Sequence, residues 1–121
     1  MGSNPTGGAI CLGENFMEEQ SYWFITVMER IIPDSYGFAD TGAMRCWGFY
    51  KDRHDAEEAL HNNMTDLWEG IYHFAVMEEY YEGICAYGHN RQFFMYDQVR
   101  KGYFEIGEPE CVKNIVGFSI C

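Results

Sequence analysis

Residues 21–32 read SYWFITVMERII. The run is made of β-branched and aromatic residues, with neither Gly nor Pro inside it, which is the composition of a strand. At period two, one face carries Trp23, Ile25, Val27, Glu29 and Ile31, and the other carries Tyr22, Phe24, Thr26, Met28 and Arg30. Both faces are apolar near the middle. A strand that is apolar on both sides must be covered on both sides, by helices or by another subunit. The neighbours of this strand then decide between an all-β and a mixed fold.

Downstream, PDSYGFADTG (33–42) contains Pro33, Gly37 and Gly42 and reads as a loop. It is long for a hairpin connection, and long loops in compact domains are often functional. MRCWGFY (44–50) is the next strand, with Gly48 marking a bulge or a close backbone approach. Asp52 has the position of a helix N-cap, and Asp55, Glu57 and Glu58 suit the positive helix start. Ala56, Ala59 and Leu60 recur at i, i+3 and i+4, which predicts a helix with a buried stripe, ending near Asn62-Asn63. TDLWEG (65–70) predicts one helical turn closed by Gly70.

A third strand is expected over about 72–80, with a turn at Gly83. Its faces are Phe74, Val76, Glu78 and Tyr80 against His73, Ala75, Met77 and Glu79. RQFFMYDQVRKGYFEI predicts a hairpin of strands 91–97 and 102–106, turning at Arg100-Lys101-Gly102. Pro109 suits the first position of a short helix, and IVGFSIC (115–121) predicts a last short strand. Residues 1–20, rich in Gly, Asn and Glu, read as a flexible N-terminal arm before a single domain over 21–121. The expected fold is α+β: a small, mostly antiparallel sheet of about six short strands with two or three short helices.

The chain has 121 residues, of which 47% are hydrophobic and 17% aromatic, enough for one packed core and contrary to disorder. The aromatic share exceeds what a small core needs, so some rings are expected at a ligand or subunit surface. The 19 acids against 8 bases give a formal charge of -11, which repels duplex nucleic acid. A small anion is still bindable through a few local Arg or backbone N–H donors, and a protein that mimics DNA would share the acidity. The five cysteines at 11, 46, 85, 111 and 121 are widely spaced with no CxxC, which fits reduced thiols and a cytoplasmic setting. No apolar run approaches a membrane span. MGSNPT satisfies the Gly2 myristoylation pattern by letter, as a cloning remnant or loose terminus would, and Asn63-Met64-Thr65 is a glycosylation sequon by letter alone.

Chemistry-bearing motifs are sparse. Cys85 and His89 have metal-like spacing without a second pair, so no metal site is expected. No GxSxG, HExxH, Walker or GxGxxG pattern occurs. The pairs Glu57-Glu58, Glu78-Glu79 and Asp52/Asp55 suit catalytic carboxylates or, more simply, solvated helix and strand faces. Arg45 and Trp47 alternate on one strand face, and Arg91 precedes Phe93 in the same way. A guanidinium beside a ring suits a phosphate clamp next to a stacking surface; an ion pair with the surplus carboxylates is the competing use. On this chemistry the candidate ligand-binding residues are Trp23, Trp47, Phe93 and Phe94 for stacking, Arg45 and Arg91 for pyrophosphate, and Asn90 and Asn114 for hydrogen bonds. No catalytic residue and no cofactor is expected.

Several of these elements occur in a characteristic order. Arg45-x-Trp47-Gly48 is followed by the Asp-capped helix with Ala-Glu-Glu-Ala (56–59). Then come DLWEGIYHFAVMEEYYEG, the Gln92-Phe93-Phe94 strand and EPECVKNIVGFSIC. Over about residues 20–121 the chain resembles the first type of Thoeris anti-defence protein, a family of small acidic proteins of bacteria and their phages. Loop 33–43 and the arm before Ser21 match least. The resemblance implies a non-catalytic sponge that holds cyclic ADP-ribose isomers, and in some members cyclic oligonucleotides, away from a defence effector. It implies no degradation of the ligand, assembly as a homo-oligomer (dimer or hexamer), and action in the cytoplasm of an infected bacterial host. The alternative is an acidic protein that inhibits a nuclease or defence protein directly by DNA mimicry.

Overall fold

The computed structural model describes residues 20–83 and 89–119. The first strand, β1 (Ser21–Met28), pairs antiparallel with β4 (Met44–Tyr50) on one side and with β5 (Phe74–Tyr81) on the other. Strands β6 (Arg91–Asp97) and β7 (Gly102–Ile106) complete a five-stranded sheet in the order β4-β1-β5-β6-β7, antiparallel throughout. A two-stranded pair, β2 (Ile32–Pro33) with β3 (Ala39–Asp40), forms within the long loop. The helix α1 (Arg53–His61) starts at Asp52, whose carboxylate accepts from the His54 N–H at 2.8 Å. Short 3-10 turns occupy Met64–Asp66 and Glu110–Val112. The fold is α+β, as the patterning predicts.

Both faces of β1 are covered, by two different means. On one face Trp23, Ile25 and Val27 pack with Ala56, Ala59 and Leu60 of α1, joined by Ala75, Met77, Phe94 and Tyr103. On the other, Met28, Val76 and Phe93 pack under Val112, with Cys111, Ile115 and Phe118 against them. Met28 is thus covered by the chain's own segment after β7, which includes the Glu110–Val112 turn, while Tyr22 and Phe24 on the same face stay half-buried. Each fully buried Leu or Phe contributes about 1.5–3 kcal/mol by leaving water.

A buried ion pair pins that segment. Glu78 is 0% exposed on β5, and its carboxylate accepts from Tyr80 Oη at 2.8 Å and from the Phe118 N–H at 3.0 Å. Arg91, with 13% side-chain exposure, approaches Glu78 at 3.5 Å and Glu108 at 3.1 Å. Its guanidinium also donates to the carbonyls of Ile115 (2.6 Å) and Val112 (3.0 Å). One strand residue thus holds three points of the C-terminal segment at once.

The structure differs from the sequence expectation at several ends. β1 stops at Met28, because the Glu29 and Arg30 amides turn to the Ala43 and Thr41 carbonyls and leave regular pairing. β5 begins at Phe74, because the Tyr72 amide closes the preceding turn on Trp68. Residues 115–119 form no strand. Their amides at Phe118 and Ser119 bond side chains of β5 instead of a neighbouring strand, and 120–121 lie outside the described residues. The expected arm over 1–20 lies outside them too, apart from Gln20. Among the described residues no helix is long and apolar enough to cross a membrane.

Candidate ligand cavity beside strand β4

Ile25 of β1 pairs with Gly48 and Thr26 pairs with Cys46, so Trp47 is the extra residue of a β-bulge. Gly48 supplies the backbone freedom for it at φ 155°. A bulge re-aims a side chain and recurs next to functional sites. Here it directs the indole into a cavity of about 400 Å³ between β4, α1 and the loop after α1. The strand wall is Ile25 and Trp47 to Tyr50, the helix wall is Ala59, and the loop wall is Met64, Thr65 and Leu67. The volume lies within the roughly 300–1,000 Å³ range of small-molecule sites, and the lining is apolar and aromatic, as such sites are.

Two polar features adjoin Trp47, beside the cavity wall. The Arg45 guanidinium lies 4.0 Å from the centroid of the Trp47 ring and donates to Glu69 at 2.9 Å. The Trp47 indole N–H is the only buried side-chain nitrogen or oxygen among the described residues without a hydrogen-bond partner. Such a donor carries an unmet desolvation cost of about 1–3 kcal/mol.

The loop wall is held in an uncommon conformation. Asn63, Thr65, Asp66 and Glu69 have φ of 47°, 51°, 58° and 49°, and Gly70 has 81°. Asn and Asp tolerate this region through local hydrogen bonds. Asn63 Oδ1 accepts from the Trp68 N–H (3.0 Å), and Asp66 Oδ1 accepts from Asn63 Nδ2 (3.2 Å) and the Glu69 N–H (3.3 Å). Thr65 is β-branched, has only its hydroxyl's bond to the Met64 carbonyl (2.6 Å) as local support, and a residue of this kind costs about 1–3 kcal/mol. Leu67, buried against α1, and the parallel stack of Trp68 on Tyr96 at 4.3 Å hold the loop in place.

Of the residues proposed from sequence, Trp47 lines this cavity, and Arg45 lies against its ring beside the cavity without lining it. Phe93 and Phe94, as consecutive strand residues, enter opposite cores and are buried there. Trp23 is buried on the α1 face, with Arg53 at 6.0 Å from its ring. Arg91 is engaged inside the fold with Glu78, Glu108 and two carbonyls, and it does not line the cavity. Asn90 donates to Glu79 at 2.7 Å, and Asn114 is exposed on the C-terminal segment. The eight residues therefore do not converge on one site. The loop residues Met64, Thr65, Leu67 and Glu69 were not singled out from sequence; the Asn62-Asn63 and Gly70 brackets signalled a turn, but not one that closes a cavity.

The paired carboxylates serve the fold. Asp52 caps α1, Glu57 lies near Arg53 and His61, and Glu79 accepts from Ser21 and Asn90. Cys85 lies outside the described residues, and no group of metal-ligating side chains occurs among the described ones. The shifted ionisations lie away from the cavity. The Arg30 guanidinium holds Asp40 below the usual carboxylate range, with help from the Gly42 amide. The Arg100 amide and guanidinium do the same for Asp97. Burial pushes the Tyr103 phenol above its ordinary value. Compared with protein-family models, curated proteins and solved structures, the chain matches none of them.

Proposed function

We propose that the chain is a non-catalytic binding protein that sequesters a small, ring-bearing anion of the cyclic-nucleotide class, a cyclic ADP-ribose isomer or a cyclic oligonucleotide. The observation that carries this reading is the Arg45 guanidinium stacked on Trp47, a wall residue of a cavity of about 400 Å³. A base or other flat ring finds aromatic surface on Trp47 and Tyr50; the Phe49 ring is turned to Tyr22 and Phe24 on the other sheet face. A phosphate finds a guanidinium, which grips it bidentately. Stacking of this kind is worth about 1–3 kcal/mol per base. The resemblance to the Thoeris anti-defence family supports the same reading, together with a homo-oligomer in which the ligand is held near a subunit boundary and action in the host cytoplasm.

Calorimetry with cyclic ADP-ribose tests it, followed by chromatography of the ligand released on heating. Binding with recovery of intact ligand supports sequestration. Absence of heat, or recovery of a cleaved product, defeats it. The acidity of the chain, -11 overall, favours the other reading, a direct inhibitor that mimics DNA. Capture of a nuclease by a protein that binds no small molecule would establish that one.

A further inference from the structure

We infer that Glu69 is a built-in competitor for the ligand's anionic group, whose carboxylate occupies the place on Arg45 that the incoming anion takes. This rests on the binding reading above and names the residue that sets its affinity and selectivity. Arg45 is the cation stacked on Trp47, a wall residue of the cavity, and the carboxylate it holds, at 2.9 Å, belongs to Glu69. The pair is open to solvent, with side-chain exposures of 51% and 35%. An exposed pair of this kind is weak and exchanges readily. A phosphate or pyrophosphate carries more charge than one carboxylate and matches the guanidinium fork at two points, so it displaces Glu69.

The carboxylate comes from the loop whose earlier residues form one wall of the cavity. Glu69 follows Met64, Thr65 and Leu67 on one loop, and its own backbone sits at φ 49°. Two elements separated in sequence are therefore joined across the site by the group that a ligand would replace. The consequence is selectivity. An apolar ring without a phosphate leaves the Arg45–Glu69 pair intact and gains only stacking, whereas a ligand carrying a phosphate gains Arg45 and expels Glu69. The expelled carboxylate remains close and repels the bound anion, so it lowers affinity in two ways.

The test uses inorganic pyrophosphate and cyclic ADP-ribose as probes on the full chain. Wild type, Glu69→Gln, Arg45→Met and the double variant are compared by calorimetry. Gln keeps the length of the side chain and the backbone conformation while removing the charge. Glu69→Gln is expected to bind pyrophosphate about five-fold more tightly than wild type, the scale of an exposed ion pair plus one nearby repulsion. In the Arg45→Met background the Glu69→Gln change is expected to make no difference. A gain in affinity is not the signature of a merely structural residue, since damage to the fold would weaken binding. Equal or weaker pyrophosphate binding by Glu69→Gln overturns the inference, as does no binding by either protein, or a gain that persists without Arg45. Failure of cyclic ADP-ribose to bind any of the four proteins, while pyrophosphate shows the expected order, defeats the sequestration reading and leaves the role of Glu69 standing.

Discussion

Replacing Arg91 by Met removes the cation that faces a carboxylate with 0% exposure. At 3.5 Å, and with an effective dielectric constant of about 20, the Glu78–Arg91 attraction is roughly 5 kcal/mol. Arg91 is itself largely desolvated, so part of that attraction offsets its own burial. The carbonyls of Val112 and Ile115 lose their donors as well, at about 1 kcal/mol each. Glu78 keeps Tyr80 Oη, the Phe118 N–H and Ser119 Oγ, which soften the loss. The expected net cost is about 3–5 kcal/mol, the range for breaking one side of a buried pair. For a chain of this size that lowers Tm by roughly 10–25 °C. Urea unfolding followed by circular dichroism measures the cost as a lower midpoint at unchanged slope. Native-state hydrogen exchange is expected to locate it, with amides of Val112, Ile115 and Phe118 losing protection before those of β5. A cost under about 1 kcal/mol, or loss of protection spread evenly over the sheet, would refute the reasoning that Arg91 pins the C-terminal segment over a buried charge.

Three further outcomes follow from the packing. Gly102→Ala would place its Cβ 1.8 Å from the His61 carbonyl oxygen, so α1 must move off β7; a destabilisation of at least about 2 kcal/mol is expected in urea unfolding, the upper range for overpacking, and a cost below half of that contradicts the contact. Thr65→Gly relieves a left-handed β-branched residue and is expected to raise stability by about 0.5–1 kcal/mol in the same assay, after the greater chain entropy of Gly is allowed for; a loss of stability would mean the strain is not there. Tyr103, whose hydroxyl donates to the Tyr72 carbonyl at 2.6 Å, has a folded pKa above its unfolded one. Above about pH 10 the unfolded chain therefore releases this proton while the folded chain keeps it, so stability falls as pH rises from there. Tyr103→Phe is expected to be less stable at neutral pH and to show a shallower decline between about pH 10 and 11.5; parallel curves would remove the claim.

Local rules read several elements well. The capping of α1 by Asp52, its stripe of Ala56, Ala59 and Leu60, and the limits of β4, β6 and β7 all depend on residues close in sequence. Asp97 also closes its own turn, accepting from the Val99 and Arg100 amides, within reach of purely local reasoning. The two-sided apolar pattern of 21–28 correctly required two covers. It could not name them, because an apolar strand face has the same composition under a helix, a partner or an irregular segment. The stretch 115–119 illustrates the cost: its apolar residues read as a strand, but Phe118 and Ser119 bond to Glu78 and Tyr80, some 40 positions away in the chain.

The candidate site divides the same way. That Arg45 and Trp47 share a strand face follows from period two, and Gly48 announced the bulge. That Phe93 and Phe94 cannot share a site also follows from period two, because neighbours on a strand point to opposite faces. Whether Arg45 or Arg91 remains available to a ligand did not follow, since both present the same Arg-x-aromatic pattern. Sequence alone determined the five strands of the main sheet and the helix α1, because propensity, capping and side-chain periodicity act over a few residues. Only the tertiary structure decided that Arg91 is occupied by a buried Glu78 while Arg45 stands beside an open cavity, because burial and charge pairing are set by segments that meet far apart along the chain.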